Sequence, residues 1–403
     1  MRILLITQWF DPEPTFKGLA FARALRDHGH DVAVLTGFPN YPGGRLYPGY
    51  RLRPWQREVM DGVPVVRVFL WPSHSRSRLG RVANYVSFAL AAALAALCVR
   101  RPDVVYLYHP PGTAALPALV LRWLRRVPFV LDIQDLWPDT LAATGMLRNP
   151  RLLATIGRFM GIVYRAAAHI VVLSPGFRQR LRNGGVPEEK LSVVPNWTYE
   201  DNVPSAGGDK RAVFGTTDFV VLFAGSLGPA QQLDTVLDAA AALRERGSPI
   251  VFVLMGEGIE RARLERRAAE LELGNVRFVE RCDPHEAQRR LALADALLVH
   301  LRDDPLFAIT VPSKIQAYLR IGRPILAGVA GNAARLIADA QAGIGFAPGD
   351  AQALAAAAER LGSYTEEQRT AFGTNGKEFY ERHLALAVGS ARIAGILSNA
   401  RAT

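Results

Sequence analysis

Residues 307–331 read FAITVPSKIQAYLRIGRPILAGVAG. Pro312 and Ser313 break the preceding segment, Lys314 to Arg320 has helical composition, Gly322 can end the helix, and Pro324 leads into an apolar run suited to a strand. A helix start set between strands is the signature of an α/β unit. Its free N–H groups and positive dipole end favour an anion. Lys314 falls in the first turn, where acidic side chains are normally preferred, so its position points to a ligand phosphate that uses both the helix end and the ammonium. Ser313 and Gln316 also have the S-x-x-Q spacing of a capping box, which accounts for both without a ligand. Both readings stay open.

Outward from this stretch, the same alternation repeats. RILLIT (2–7), DVAVLT (31–36), PVVRVF (64–69), DVVYLY (103–108), PFVLDI (128–133) and HIVVLS (169–174) read as buried strands, with helix-length segments at 17–28, 79–100, 112–126 and 151–166. After a Pro-, Gly- and polar-rich stretch at 195–218, the expected linker, strands recur at 219–225, 250–256, 275–280, 294–301, 323–329 and 343–347. This pattern predicts two parallel, doubly wound α/β domains in tandem, with a cleft between them and ligands outside the carboxyl ends of the strands. The tail is expected to be helical near 350–361, 366–382 and 385–399. Residues 85–99 carry no charge, but as a helix they reach only about 22 Å, short of a bilayer core. A buried or membrane-skimming helix is expected there. The opening MRILLIT meets Asp11 too soon for a signal peptide and reads as a strand.

The chain has 403 residues, 49% of them apolar, and a net charge of +11. Residues 1–200 hold 25 Lys and Arg against 13 Asp and Glu, whereas 201–403 hold 23 against 24, so the first half carries the whole excess. That asymmetry suggests a polyanionic partner such as an anionic membrane face or a lipid diphosphate. Cys98 and Cys282 share no metal-ligand spacing with histidine, and no metal site is expected. There is no G-x-G-x-x-G fingerprint after the first strand and no phosphate-binding G-x-x-x-x-G-K-[ST] loop, which argues against a nicotinamide dehydrogenase and an ATPase.

Candidate site residues cluster where strands end. Lys17 and Gly18 open the first helix, glycine leaving room for a ligand near the backbone. The loop 35–55 mixes Tyr41, Tyr47, Tyr50 and Trp55 with Arg45, Arg51 and Arg53, with Arg57 just beyond, and reads as an acceptor-facing flap or an irregular surface connection. His109 ends a strand ahead of Gly112, and Asp132, Asp135 and Asp139 surround Trp137, a set suited to sugar hydroxyls or to helix capping. In the second half, Gly225, Ser226, Gly228, Gln231 and Gln232 form one glycine-rich turn and Gly256, Glu257 and Gly258 another, each feeding a helix. Converging with Lys314, they would make a nucleotide site.

TQWFDPE, GHDVAVLTGFPNYPGG, DIQDLWPD, VVPNW, FAGSLGPAQQLDTVLDAA, MGEG and VPSKIQAYLRIGRPIL together resemble the retaining glycosyltransferases of family 4. Within that family they are most similar to the bacterial branch of N-acetyl-L-fucosamine transferases of O-antigen and capsule assembly. The resemblance implies a GT-B fold, two Rossmann-like doubly wound domains facing a central cleft. It places an acceptor-binding domain at 1–196, a nucleotide-sugar-binding domain at 197–380, and a terminal helix at 381–403 returning to the first. It implies no cofactor and no metal, with a UDP-sugar as donor, an N-acetylhexosamine or its 6-deoxy relative. The acceptor would be a polyprenyl-diphosphate-linked glycan, handled by a cytoplasmic protein held peripherally on the inner face of the membrane, with no nucleic acid. Lys314, His109 and Asp135 would be catalytic; Gly18, Gly225, Ser226, Gln231, Gly256, Glu257, Ser313, Lys314 and Gln316 would hold the donor. The sequence departs from the family at the usual pair of glutamates eight apart, where Ala308 and Gln316 stand, and at the usual Arg and Lys of the glycine-rich turn, where Ser226 and Gln231 stand. A UDP-sugar 2-epimerase of the same fold and a degenerate, non-enzymatic binding protein are the alternative readings.

Overall fold

Runs of Val, Ile and Leu that are apolar at every position suit strands covered on both faces, and the chain uses them so. The computed structural model describes residues 1–73, 78–143, 145–200 and 208–402. The chain divides into two units, Met1–Asn196 with Leu386–Thr403, and Trp197–Ala385.

The first unit holds β1 (Arg2–Ile6), β2 (Asp31–Gly37), β3 (Trp55–Met60), β4 (Val63–Val68), β5 (Val104–His109), β6 (Phe129–Ile133), β7 (His169–Val172) and β8 (Leu191–Val193). They form one eight-stranded sheet in the order β3-β4-β2-β1-β5-β6-β7-β8, parallel except for β3 against β4. Neither β3 nor β8 was expected. WQREVM is an edge strand whose residues alternate between exposed and half-buried, so it shows no apolar run, and LSV is only 3 residues long. The Asp61-Gly62 turn between β3 and β4, with φ of +45° and +79°, is the hairpin signal that marks it.

The second unit holds β9 (Phe219–Ala224), β10 (Ile250–Met255), β11 (Val276–Val279), β12 (Ala296–His300), β13 (Ile325–Gly328) and β14 (Gly343–Gly345). Their order is β11-β10-β9-β12-β13-β14, parallel throughout. Its core packs the helices Asp234–Glu245 and Ala351–Ser363 on the sheet through Val236, Leu237, Leu243, Leu354 and Leu361. Each sheet reverses its winding once, beside β1 and β5 in the first unit and beside β9 and β12 in the second. Ligands of such sheets gather at those reversals.

Of the expected linker, residues 201–207 lie outside the described residues, and Lys210–Phe214 forms a short helix capped by Asp209. The terminal return begins at Leu386, later than 381: Leu384 and Ala385 still donate to the Tyr380 carbonyl, and the Tyr380 hydroxyl donates to Glu200 Oε1 at 2.6 Å. The helix Leu386–Ala402 packs in the first unit against the helix Leu19–Asp27, with His28 Nε2 and Ser390 Oγ 3.2 Å apart.

Candidate functional site

In the second unit, the turn that follows β9 is built by close backbone approach. Gly225 (φ +145°) donates to Met255 at 2.9 Å, and a Cβ on Gly256 (φ +147°) would lie 1.8 Å from the Gly225 carbonyl oxygen. A Cβ on Gly258 would likewise meet the Leu227 carbonyl at 2.1 Å. The turns after β9 and β10 therefore touch backbone to backbone, which only glycine permits. A Cβ on Gly225 would fall 2.9 Å from Lys314 Nζ, so the structure brings Gly225, Gly256 and Lys314 together at the sheet's reversal.

The helix Lys314–Ile321 starts at Lys314 and ends at Gly322 in the left-handed region (φ +76°). Although Lys314 as a residue is only half-buried, its Nζ atom is fully buried with no hydrogen-bond partner among the described residues. The ammonium stands 3.7 Å from the centroid of the Phe223 ring. Burial lowers its pKa to about 7. An anion placed at this glycine turn would supply the partner that the desolvated ammonium lacks.

The expected capping box is absent. The Ser313 side chain makes no cap bond, and the Gln316 amide, oriented so that its nitrogen donates, reaches the carbonyls of Pro312 and Ser313 at 3.0 and 2.9 Å. Buried Gln316 thus holds the VPSK turn from inside. Gln231 Oε1 is engaged within its own turn, accepting from Gly228 N–H at 3.2 Å, while Ser226 is exposed. Glu257 points to the surface in an ion pair with Arg261 at 2.8 Å.

Two residues escaped the sequence reading. Tyr318, one turn after Lys314, accepts from Ala224 N–H at 3.0 Å and pins the helix beneath the end of β9. His300, at the end of β12, has Nδ1 2.8 Å from the Gln231 carbonyl and accepts from Gly349 N–H at Nε2, 3.2 Å, which fixes a neutral tautomer and ties the glycine-rich turn to the loop before Ala351. A polar residue ending an apolar strand was the available signal for His300. Tyr318→Phe is expected to leave the Ala224 N–H unpaired and cost about 1–3 kcal/mol. A urea midpoint unchanged from wild type would exclude that role.

In the first unit, His109 ends β5 at the sheet's reversal, buried, with neither ring nitrogen partnered among the described residues. Burial lowers its pKa to about 4, so it stays neutral. The Trp137 ring meets it edge-on with centroids 5.7 Å apart. Asp135 follows β6 and is half-buried, its pKa raised by desolvation. The other two aspartates lie elsewhere. Asp132 is fully buried, bonded by the Tyr106 hydroxyl and by Gln134 Nε2 at 2.8 Å, with Lys17 Nζ at 3.9 Å. Asp139 pairs with Arg180 at 2.7 Å. The space beside Gly18 is taken by Asp11, whose carboxylate accepts from Leu19 N–H at 2.6 Å and would lie 2.1 Å from a Cβ there. Gly18 thus admits a cap for its own helix.

The loop after β2 is braced from below. Buried Glu13 accepts from the backbone N–H groups of Phe10, Asn40 and Tyr41 at 3.1, 2.6 and 2.7 Å, and burial raises its pKa to about 7. Trp9 stacks on Tyr41 at 4.7 Å, and the Tyr50 hydroxyl lies 3.3 Å from Arg67 Nη2.

Residues 19–197 match the family model described as a Glycosyl transferase 4-like domain, and residues 209–379 match Glycosyl transferases group 1. The colanic acid biosynthesis glycosyl transferase named WcaI of Escherichia coli (strain K12) is 27% identical over 80% of this chain and 82% of its own. Among solved structures, sucrose-phosphate synthase of Thermosynechococcus elongatus superposes with a TM-score of 0.74 at 19% identity, covering 100% of this chain and 99% of that one. Anabaena HepE in complex with UDP-glucose gives 0.70 at 18% identity, covering 99% and 100%. The fold is GT-B, two α/β domains with Rossmann-like parallel-sheet cores.

Proposed function

We propose that this chain, a glycosyl transferase 4-like domain followed by a glycosyl transferases group 1 domain, moves a sugar from a UDP-sugar to a lipid-linked saccharide in surface polysaccharide assembly. The observation that carries the reading is the unpartnered, buried ammonium of Lys314 beneath the Gly225 turn at the reversal of the second sheet. The name of WcaI and the UDP-glucose held by HepE support the pathway class and the donor class.

In the proposed reaction the bond between the anomeric carbon and the diphosphate oxygen breaks. The acceptor hydroxyl attacks from the same face, so configuration is retained, and its proton passes to the departing diphosphate. The reading gives no part to a metal. Lys314 and the start of its helix stabilise the charge that grows on the leaving group, with the backbone of Gly225 beside its Nζ, Gly256 packed on Gly225, and the exposed Ser226, Ser313 and Glu257 as further donor contacts. Neutral His109 offers hydrogen bonds to a sugar hydroxyl, and Asp135 a carboxylate. An N-acetylated hexosamine or its 6-deoxy relative is the proposed sugar, and a polyprenyl-diphosphate-linked glycan at the inner face of an anionic membrane the proposed acceptor.

The test is a thermal-shift panel of nucleotide sugars, followed by transfer to membrane extracts. A UDP-sugar at about a hundred times its Kd should stabilise the second unit by about 2.7 kcal/mol. No shift with any nucleotide sugar would remove the donor assignment. Conversion of UDP-N-acetylglucosamine alone into another UDP-sugar would replace transfer by epimerisation.

A further inference from the structure

The helix Arg78–Cys98 has two unlike faces. Its inner face is fixed: Phe88, Ala92 and Ala96 are fully buried, and Asn84 bonds Gln8 at 2.5 Å, Asn40 at 3.2 Å and the Trp71 carbonyl at 2.8 Å. Its outer face shows a continuous apolar stripe at helical spacing, Leu79 (82% exposed), Val82 (57%), Val86 (43%), Leu90 (55%) and Leu94 (70%). Leaving five aliphatic side chains in water is costly, and the inner face's hydrogen bonds keep the helix from being withdrawn to span a bilayer.

The stripe has a frame. Trp71 lies beside its first half, its backbone N–H donating to Ser87 Oγ at 2.8 Å, and Trp55 lies beside its second half; both tryptophans are more than half exposed. Next to Leu94 the stripe opens into an apolar groove of about 620 Å³, walled by Leu52, Pro54, Trp55, Phe69, Ala95 and Cys98. Arg53 stands at its edge and the Arg57 guanidinium lies 4.9 Å over the Trp55 ring. Residues 62–102 contain no aspartate or glutamate; Arg53 is exposed at the groove, and exposed Arg57 and Arg100 line the neighbouring cavity beside Cys98, where Glu58 is the acidic member on the flanking strand. Aliphatic stripe, flanking tryptophans and an arginine-rich margin form the pattern of a helix lying in the headgroup layer.

We propose that this face docks on an anionic bilayer, with the stripe from Leu79 to Leu94 immersed in the acyl boundary, Trp55 and Trp71 at headgroup level, and the arginines on lipid phosphates. The inference deepens the membrane-bound reading of the acceptor site and rests on it, but it concerns a surface that takes no part in donor binding. The helix skims the bilayer. It does not cross it.

The test uses the full chain with vesicles that contain no donor and no acceptor, either phosphatidylglycerol with phosphatidylethanolamine or neutral phosphatidylcholine alone. Binding to the anionic vesicles is expected, with tryptophan quenching by brominated lipid and at least about a tenfold loss of partitioning when Leu90→Asp and Leu94→Asp are combined. Arg53→Glu with Arg57→Glu should lower partitioning at least about tenfold and flatten its salt dependence. UDP-sugar binding by both double variants should match wild type, which shows that they are folded and separates this proposal from the donor assignment. No partitioning into anionic vesicles at low salt, or a wild-type dimer that the leucine variant turns into a monomer, would overturn it.

Discussion

Lys314→Met is expected to lower kcat/KM for sugar transfer by about a hundredfold or more while making the protein more stable at neutral pH. The two effects share one cause. The ammonium is buried without a partner, so the folded chain binds its proton weakly, with a pKa near 7 against an ordinary 10.5. Between those values the unfolded chain binds more protons than the folded one, and stability therefore rises with pH through that window. The burial penalty is fully present below about pH 7. Methionine keeps the length and the contact with Phe223 but removes the charge, so the variant should gain about 1–3 kcal/mol at pH 7 and lose that pH dependence. A donor diphosphate supplies the missing partner and raises the lysine's pKa, so nucleotide affinity should weaken as pH climbs above about 7, with net proton uptake on binding. Calorimetry at pH values either side of 7, in buffers of unlike ionisation enthalpy, reads this uptake directly. A variant that transfers sugar at the wild-type rate would remove Lys314 from the chemistry.

The strands that carry the site were legible because parallel strands covered on both faces need apolar residues at every position; RILLI, VVYLYH and FVVLFA leave no other reading. The VPSK helix was equally plain, since Gly322 ends it and Pro324 begins the next element. What lay hidden were pairings between residues distant in the chain. Asp132 reads as one more carboxylate after a strand, yet it sits inside β6, where Tyr106 and Lys17 enclose it; only the order β1-β5-β6 brings those three together. Glu13 shows no pattern with Asn40 and Tyr41, because it collects backbone N–H groups, which leave no trace in side-chain spacing. The S-x-x-Q spacing at Ser313 and Gln316 misled for a related reason. A glutamine can bond carbonyls as readily as amides, and here the burial of its side chain decides for the carbonyls.

Gly256→Ala should be the most damaging single methyl group in the second unit. At φ +147° the backbone is in a region that L residues rarely enter, which alone costs about 1–3 kcal/mol. The added Cβ would also lie 1.8 Å from the carbonyl oxygen of Gly225 and 2.9 Å from its carbon. Neither is the far end of a flexible side chain, so relief requires the two turns to part. Parting them strains the bonds Gly225 N–H to Met255 at 2.9 Å and Gly256 N–H to Val279 at 3.0 Å, and carries Gly225 away from Lys314. A total loss of about 3 kcal/mol or more is expected, together with a raised KM for the nucleotide sugar in whatever fraction remains folded. Gly274→Ala is the control: it lies in the same unit, and a Cβ there has nothing within 4 Å, so its urea midpoint should stay close to wild type. If both variants unfold together with wild type, the β9 and β10 turns are not held against each other by bare backbone, and the tight cradle proposed for the diphosphate loses its basis.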